Sequence, residues 1–133
     1  MILLTSLIIN SLFVNIIKQA VERPRPPIEF ALIVENNFSF PSGHSIVAVS
    51  FFGLILYFLI KSIKRKSVQI ILLFFGIVLI TLIGFSRIYL GVHWTSDVIA
   101  SYLLGLSWIA FLLIIMDHID FIKRNFRNLI SHL

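Results

Sequence analysis

Hydrophobic residues fill four long stretches of this chain, residues 1–17, 45–60, 68–90 and 98–116, and polar residues gather in the gaps between them. An α-helix needs about 20 residues to cross roughly 30 Å of hydrocarbon, with about 17–25 the usual range. The third and fourth stretches meet that length. The first and second lie at its lower edge, where Lys18 and Lys61 can complete the crossing by snorkelling their ammonium groups to the interface. One short apolar run reads equally well as a buried helix of a soluble protein. Four in succession predict an all-α transmembrane helical bundle, a single membrane-embedded domain spanning residues 1–133.

The residues at the boundaries agree. Pro24, Pro26 and Pro27 cannot continue a helix and push the residues before them to extended backbone. Residues 28–40, rich in Phe and Ile, are expected as a connecting loop on the membrane surface. Ser42 is placed to cap a helix beginning near His44, and Thr95 or Ser96 to cap the last span. Tyr89 and Trp94 fall where interfacial aromatic residues belong. Gly84, Gly91 and Gly105 are candidates for close helix approach.

Composition strengthens the membrane reading. The chain is 59% hydrophobic and 13% charged, against about 45–50% and about 25% for soluble domains, and its mean hydropathy is +1.02. The isoelectric point near 10.0 would suit a nucleic-acid partner, but the basic residues sit between apolar spans instead of on one soluble face. The expected partner is the lipid bilayer, with no nucleic acid. Without cysteine there is neither a disulfide framework nor a thiolate zinc site. No cleavable signal peptide is expected, because Met1 leads straight into apolar residues with no charged leader. Lys61, Lys64, Arg65, Lys66, Lys123, Arg124 and Arg127 lie on one side of the bundle, seven of the eleven Lys and Arg residues. The positive-inside rule makes that side, with the basic tail 117–133, cytoplasmic.

Three polar islands then share the extracytoplasmic face: Lys18-x6-Arg25-Pro26, Pro41-Ser42-Gly43-His44, and Ser86-Arg87-x5-His93-x3-Asp97. Arginine offers phosphate a rigid two-pronged fork and lysine a point charge. Lys18 alone reads as a membrane anchor, and Arg23 as an anchor or a partner for Glu22. Around Ser42 and Gly43, the free N–H groups of a helix start favour an anion, the glycine lets the backbone come close, and the hydroxyl can donate a further bond. Alone, Pro-Ser-Gly is an ordinary turn and cap. If the residues after His93 are helical, His93 and Asp97 share a face at i, i+4. A carboxylate on one imidazole nitrogen fixes the tautomer and leaves the other nitrogen free to attack. A bland account of the pair also exists, an acid at a helix N-terminus beside an interfacial histidine. Arg87, near the end of a long apolar span, is costly without a partner or task. Ser86 can bond phosphate or its own helix. His118 and His132, on the opposite side, read as solvated.

In this order the islands resemble the type 2 phosphatidic acid phosphatase and vanadium haloperoxidase superfamily, whose pattern the chain matches at every fixed position across residues 18–97. The resemblance implies an all-helical bundle and a covalent phosphohistidine mechanism that uses no metal or other cofactor. By position it makes His93 the nucleophile, Asp97 its orienting acid and His44 the general acid–base. Lys18, Arg25, Ser42, Gly43 and Arg87 become the phosphate cradle, and vanadate an inhibitor that mimics phosphate. Membrane members have six spans, with the Lys–Arg motif after the third; here one span precedes it. The expectation is a shortened six-span phosphatase core, or a minimal form that associates as a homo-oligomer. The expected substrate is a membrane lipid phosphate or diphosphate, with polyprenyl diphosphate such as undecaprenyl diphosphate first. Phosphatidylglycerophosphate, phosphatidate and lipid A phosphate follow. Two alternatives are a vanadate-holding haloperoxidase site, which the apolarity disfavours, and a silent membrane scaffold, which the intact His44, His93 and Asp97 disfavour.

Overall fold

The computed structural model describes residues 2–27, 29 and 31–130. Four helices account for most of them: α1 (Ile2–Val21), α2 (Gly43–Ser62), α3 (Lys66–Tyr89) and α4 (Thr95–Ile130). The last three are long and apolar enough to cross a membrane, while the apolar part of α1, Thr5–Val21, is shorter. All four expected spans are therefore helices, with different ends.

Helix α1 continues past residue 17 to Val21 and stops where Glu22 takes a left-handed φ of 48°, its N–H bonded to the Lys18 carbonyl. Lys18 thus sits inside the last turn. It does not snorkel: it is 7% exposed and points its ammonium at the loop. At the other end of the chain, α4 runs 36 residues, through the segment expected as a separate tail. At about 1.5 Å per residue it outruns the hydrocarbon. Gly105 is its last glycine and it contains no proline, so nothing in the sequence halts it. His118 is exposed, as expected, and His132 lies outside the described residues.

Helix α2 is the axis of the bundle and packs against each of the other three. A third of its apolar window (33%) is enclosed by the protein, against 6% for α3, whose side chains mostly face outward. Ile46, Ala48, Val49 and Leu54 form its buried face. A π-helical turn, Ala48–Phe52, interrupts it, and there the Ser50 hydroxyl donates to the Ile46 carbonyl (2.8 Å). Gly105 on α4 permits close approach: a Cβ there would lie 2.7 Å from Val49 Cβ. Gly84 meets Val98 in the same way. Gly91 has another task. Its φ of 70° ends α3, where its N–H bonds the Ile88 carbonyl (2.9 Å).

The connection 22–42 folds back over the end of the bundle. Leu32 N–H bonds the Leu90 carbonyl (3.0 Å), while the side chains of Leu32, Ile33 and Val34 stay exposed. That agrees with a loop lying on a membrane surface. Exposed Tyr89 stacks on Phe85, and exposed Trp94 follows five residues later, just before α4.

Candidate active site

A cavity of about 500 Å³ opens at this end of the bundle. Helix α1 contributes Ser11, Asn15 and Lys18 to its wall, the loop Glu35 and Asn37, α2 Gly43 and His44, α3 Ile83, and the α3–α4 turn His93. Two histidines and a lysine, 75 residues apart in sequence at the extremes (18 to 93), therefore face one space. Of the expected residues, Lys18, Gly43, His44 and His93 line it; Arg25, Ser42, Arg87 and Asp97 are not among its lining residues.

Lys18 Nζ donates to the carbonyls of Phe38 and, at 3.5 Å, Ser39, which hold the ammonium at the cavity edge. Arg25 is more fully engaged. Nε donates to Asn37 O (2.7 Å), Nη1 to Val92 O (2.6 Å), and Nη2 to Phe38 O (3.3 Å) and Asn37 Oδ1, beside Glu35 Oε2 at 2.6 Å. A guanidinium has five N–H groups, so little of the fork expected to grip phosphate remains free. The reason is the loop: its carbonyls point inward after the three prolines and need donors. Arg25 instead staples that loop to Val92, the neighbour of His93.

The Ser42 hydroxyl forms no cap and does not reach the cavity. Fully buried, it accepts from the Ser45 hydroxyl (2.9 Å), while its backbone N–H donates to the Ser101 hydroxyl on α4 (2.8 Å). That packing fixes the start of α2, leaving Gly43 and His44 at the surface of the cavity. At Gly43 a Cβ would meet only Val14, at an ordinary 3.6 Å, so the glycine keeps space open in the cavity without relieving a clash. Ser86 donates to its own helix at Ile83 (2.6 Å) and accepts from Arg87 Nε (3.2 Å). Arg87 is the foremost of the charges that act on His44, followed by Glu35, Arg25 and Lys18.

Helix α4 begins without help from Thr95 or Ser96. The capping group is Asp97, whose Oδ2 accepts the Trp94 N–H at 3.0 Å, three residues back, as the acid of a capping box does. Asp97 is fully buried, and its carboxylate also accepts from the Ser39 hydroxyl and from Arg23 Nη1 (2.6 Å). Arg23 is thus neither a lipid anchor nor a partner of Glu22. Its guanidinium lies 5.7 Å from the centre of the Trp94 ring and bonds the Ser96 hydroxyl (2.8 Å). Neither Arg23 nor Ser39 stood out in the sequence. The one available signal was the Arg-Pro-Arg-Pro repetition at 23–26.

His93 is 3% exposed. Its Nδ1 lies 3.6 Å from Asp97 Oδ2 and makes no hydrogen bond among the described residues. That spacing allows charge attraction but exceeds hydrogen-bond range. Burial, reinforced by the Arg25 guanidinium and the Lys18 ammonium, pushes the imidazole from its ordinary 6.5 down to about 4, while Asp97 and Glu35 pull the other way. At neutral pH the ring is uncharged and keeps a lone pair for attack.

Against this geometry the similarities to known proteins take on meaning. Phosphatidylglycerophosphatase B of Bacillus subtilis is 41% identical over 95 residues, covering 69% of this chain and 45% of that protein. Undecaprenyl-diphosphatase of Sulfolobus acidocaldarius is 37% identical over 89 residues, covering 67% and 38%. The crystal structure of a transmembrane PAP2-type phosphatidylglycerolphosphate phosphatase from Bacillus subtilis superposes with a TM-score of 0.78 at 35% identity, covering 88% of this chain and 58% of that one. The chain therefore spans about half the length of the relatives it matches, or less. The family model of the PAP2 superfamily matches residues 1–120, and this chain belongs to that superfamily.

Proposed function

We propose that the protein is an integral membrane lipid phosphatase that works through a phosphohistidine at His93. One observation carries this reading: a neutral, buried His93 shares a cavity with His44, Lys18 and the Gly43 start of α2, and a buried carboxylate stands behind its Nδ1. With its proton on Nδ1, His93 presents the Nε2 lone pair to phosphorus. The P–Nε2 bond forms as the P–O bond to the lipid breaks, and the departing alkoxide takes a proton from His44. His44 then takes a proton from water, whose oxygen attacks phosphorus and releases inorganic phosphate from His93. Charge on the equatorial oxygens is balanced by Lys18, by the helix N-terminus at Gly43, and by the field of Arg25 and Arg87. Imidazolium character growing at Nδ1 draws Asp97 closer.

The substrate enters from the bilayer. The cavity wall descends along α1 and α2 through Val14, Val47 and Phe52, an apolar track for a lipid tail. The charge asymmetry supports a cavity on the extracytoplasmic side and a cytoplasmic C-terminus. Within the lipid phosphates we rank glycerophospholipid monophosphates, phosphatidylglycerophosphate first, above polyprenyl diphosphate, reversing the order expected from sequence. Two facts support that ranking. The Bacillus relative carries the higher identity, and Lys18 is the one Lys or Arg among the described residues that line the cavity, which suits a single phosphate.

The test is phosphate release by the full chain in mixed micelles, with phosphatidylglycerophosphate and undecaprenyl diphosphate offered separately. Release from the first, inhibited by vanadate and unaffected by EDTA, is expected. An EDTA-sensitive activity, or none on either lipid, would overturn the reading.

A further inference from the structure

Arg23 and Ser39 close a ring with Asp97, the acid behind His93. Arg23 Nη1 donates to Asp97 Oδ1 (2.6 Å), the Ser39 hydroxyl donates to Oδ2, and the Ser39 N–H donates to the Arg23 carbonyl (2.8 Å). Ser39 and Asp97 are fully buried, and the Arg23 side chain is 35% exposed. The ring is clipped from outside as well: the Trp94 indole N–H, under the Arg23 guanidinium, bonds the Pro24 carbonyl (3.0 Å). With the Trp94 N–H also on Oδ2, three donors occupy the carboxylate before His93 reaches it. That is why Nδ1 is left at 3.6 Å without a partner.

We infer that Arg23 is a positioning residue: through the ring with Ser39 it holds the Asp97 carboxylate short of the resting His93 ring and so sets how strongly that acid acts on the nucleophile. This rests on the phosphatase reading given above. A tight Asp97–His93 bond in the resting state would fix the tautomer but also raise the proton affinity of the ring, leaving more of it as an imidazolium that cannot attack. Held back, the carboxylate gives its full effect only as charge builds on Nδ1 during attack, and an interaction stronger in the transition state than in the ground state raises the rate. Arg23 also adds a positive charge that offsets Asp97. The other charges facing His93 are Lys18 from α1 and Arg25 and Glu35 from the loop, with Asp97 from α4; His44 of α2, itself under the charge of Arg87 from α3, lines the same cavity. Of these, Asp97 alone is an ion-pair partner of Arg23, so a replacement of Arg23 reaches His93 through that carboxylate.

The sign of the effect follows. Replacing Arg23 by glutamine leaves the Asp97 charge uncompensated beside His93, so the imidazole takes up its proton at higher pH. The active form is neutral, so the acid limb of kcat/KM moves up, by about one pH unit for a partly exposed partner. Arg23→Lys keeps the charge and is expected to keep the limb. KM is expected to hold, since Arg23 does not line the His93 cavity.

Two measurements on the full chain in micelles decide this. One is the pH profile of phosphate release from phosphatidylglycerophosphate for wild type, Arg23→Lys and Arg23→Gln. The other is the His93 ring titration in the same proteins by 15N NMR, assigned by the signal lost in His93→Asn; it needs no turnover. An upward shift in Arg23→Gln, absent from Arg23→Lys, supports the inference. Superimposed titrations overturn it, including the case in which both variants lose activity equally, because a purely structural role would do that. If Arg23→Gln does not fold, Ser39→Ala opens the same ring from its neutral side. There an unchanged 15N shift and tautomer ratio at His93 would overturn the proposal. A shifted titration with no phosphate release from wild type would sink the phosphatase reading and leave the positioning role standing.

Discussion

Two polar clusters are buried in this apolar chain, and they differ in one respect. Midway along the bundle, Asn10 of α1 donates to the Ser50 hydroxyl (2.9 Å), Ser50 donates to the Ile46 carbonyl, and the Trp108 indole donates to the Ser6 hydroxyl (2.7 Å). Every member has a partner. At the end of the bundle, His93 Nδ1 is buried without one, while the acid beside it is fully occupied. Helix α1 serves both clusters from one face, since Ser6, Asn10, Val14 and Lys18, four residues apart, are all buried. A satisfied polar group away from water holds helices together; an unsatisfied one costs free energy and persists where chemistry uses it. Under the phosphatase reading proposed above, the contrast puts the middle cluster in assembly and the end cluster in reaction.

The sharpest way to break that assignment is His93→Ala. Turnover is expected to fall by at least about a thousandfold, with the melting temperature in micelles unchanged or raised, because a buried, unpartnered nitrogen is removed. Measured phosphate release above a hundredth of wild type, or a collapse of the fold, would place His93 among the structural residues. Next in size is Arg25→Lys. Arg25 staples the loop to Val92 through at least three carbonyl or carboxamide oxygens, which a single ammonium cannot span. A displaced His93 is expected to cost about a hundredfold in kcat/KM. A loss confined to KM would instead return Arg25 to direct phosphate binding.

How much of this was legible beforehand depends on what kind of signal each feature leaves. Apolar runs longer than a membrane is thick are visible in any window, so α3 and α4 stood out at once. Their ends were less visible: α4 passes residue 116 because helix continuation needs only the absence of glycine and proline, whereas the apolar run stops there. His44, His93 and Lys18 were read from motif spacing and do share a cavity. The cap expected of Ser42 is not made, because its hydroxyl answers to Ser45, and its N–H to Ser101, a residue 59 positions away. Ser39 leaves no periodic or spacing signal, and Arg23 only the short Arg-Pro-Arg-Pro repetition. Their importance arises only when the 22–42 loop closes on the first turn of α4, a contact that no local pattern encodes.

The pH dependence sharpens the same contrast at smaller amplitude. The His93 pKa is lowered to about 4, so the ring is neutral above that value and protonated below it. Activity is expected to be level in this group from pH 7 down to about 5, then to fall as pH drops through about 4, approaching tenfold per unit. A half-point near 6.5 in the kcat/KM profile would mean that His93 is solvated and that burial does not poise it.

The smallest effect is expected in the middle cluster, and there the comparison is most exposed to failure. Asn10→Val removes one donor, but Ser50 keeps its own bond to the Ile46 carbonyl and Ser6 keeps the Trp108 indole. No donor is stranded, so the loss is that of one interhelical hydrogen bond, about 1 kcal/mol, together with a long one to Ser6 within α1 (3.5 Å). It should appear as a lower melting temperature with kcat per folded molecule within about twofold of wild type. The risk lies in geometry: Asn10 bonds Ser50 inside the π-helical turn Ala48–Phe52, one turn beyond the His44 end of α2, and such turns often sit at functional sites. If Asn10→Val keeps its melting temperature but loses turnover, the turn relays into the cavity, and the two clusters are one site.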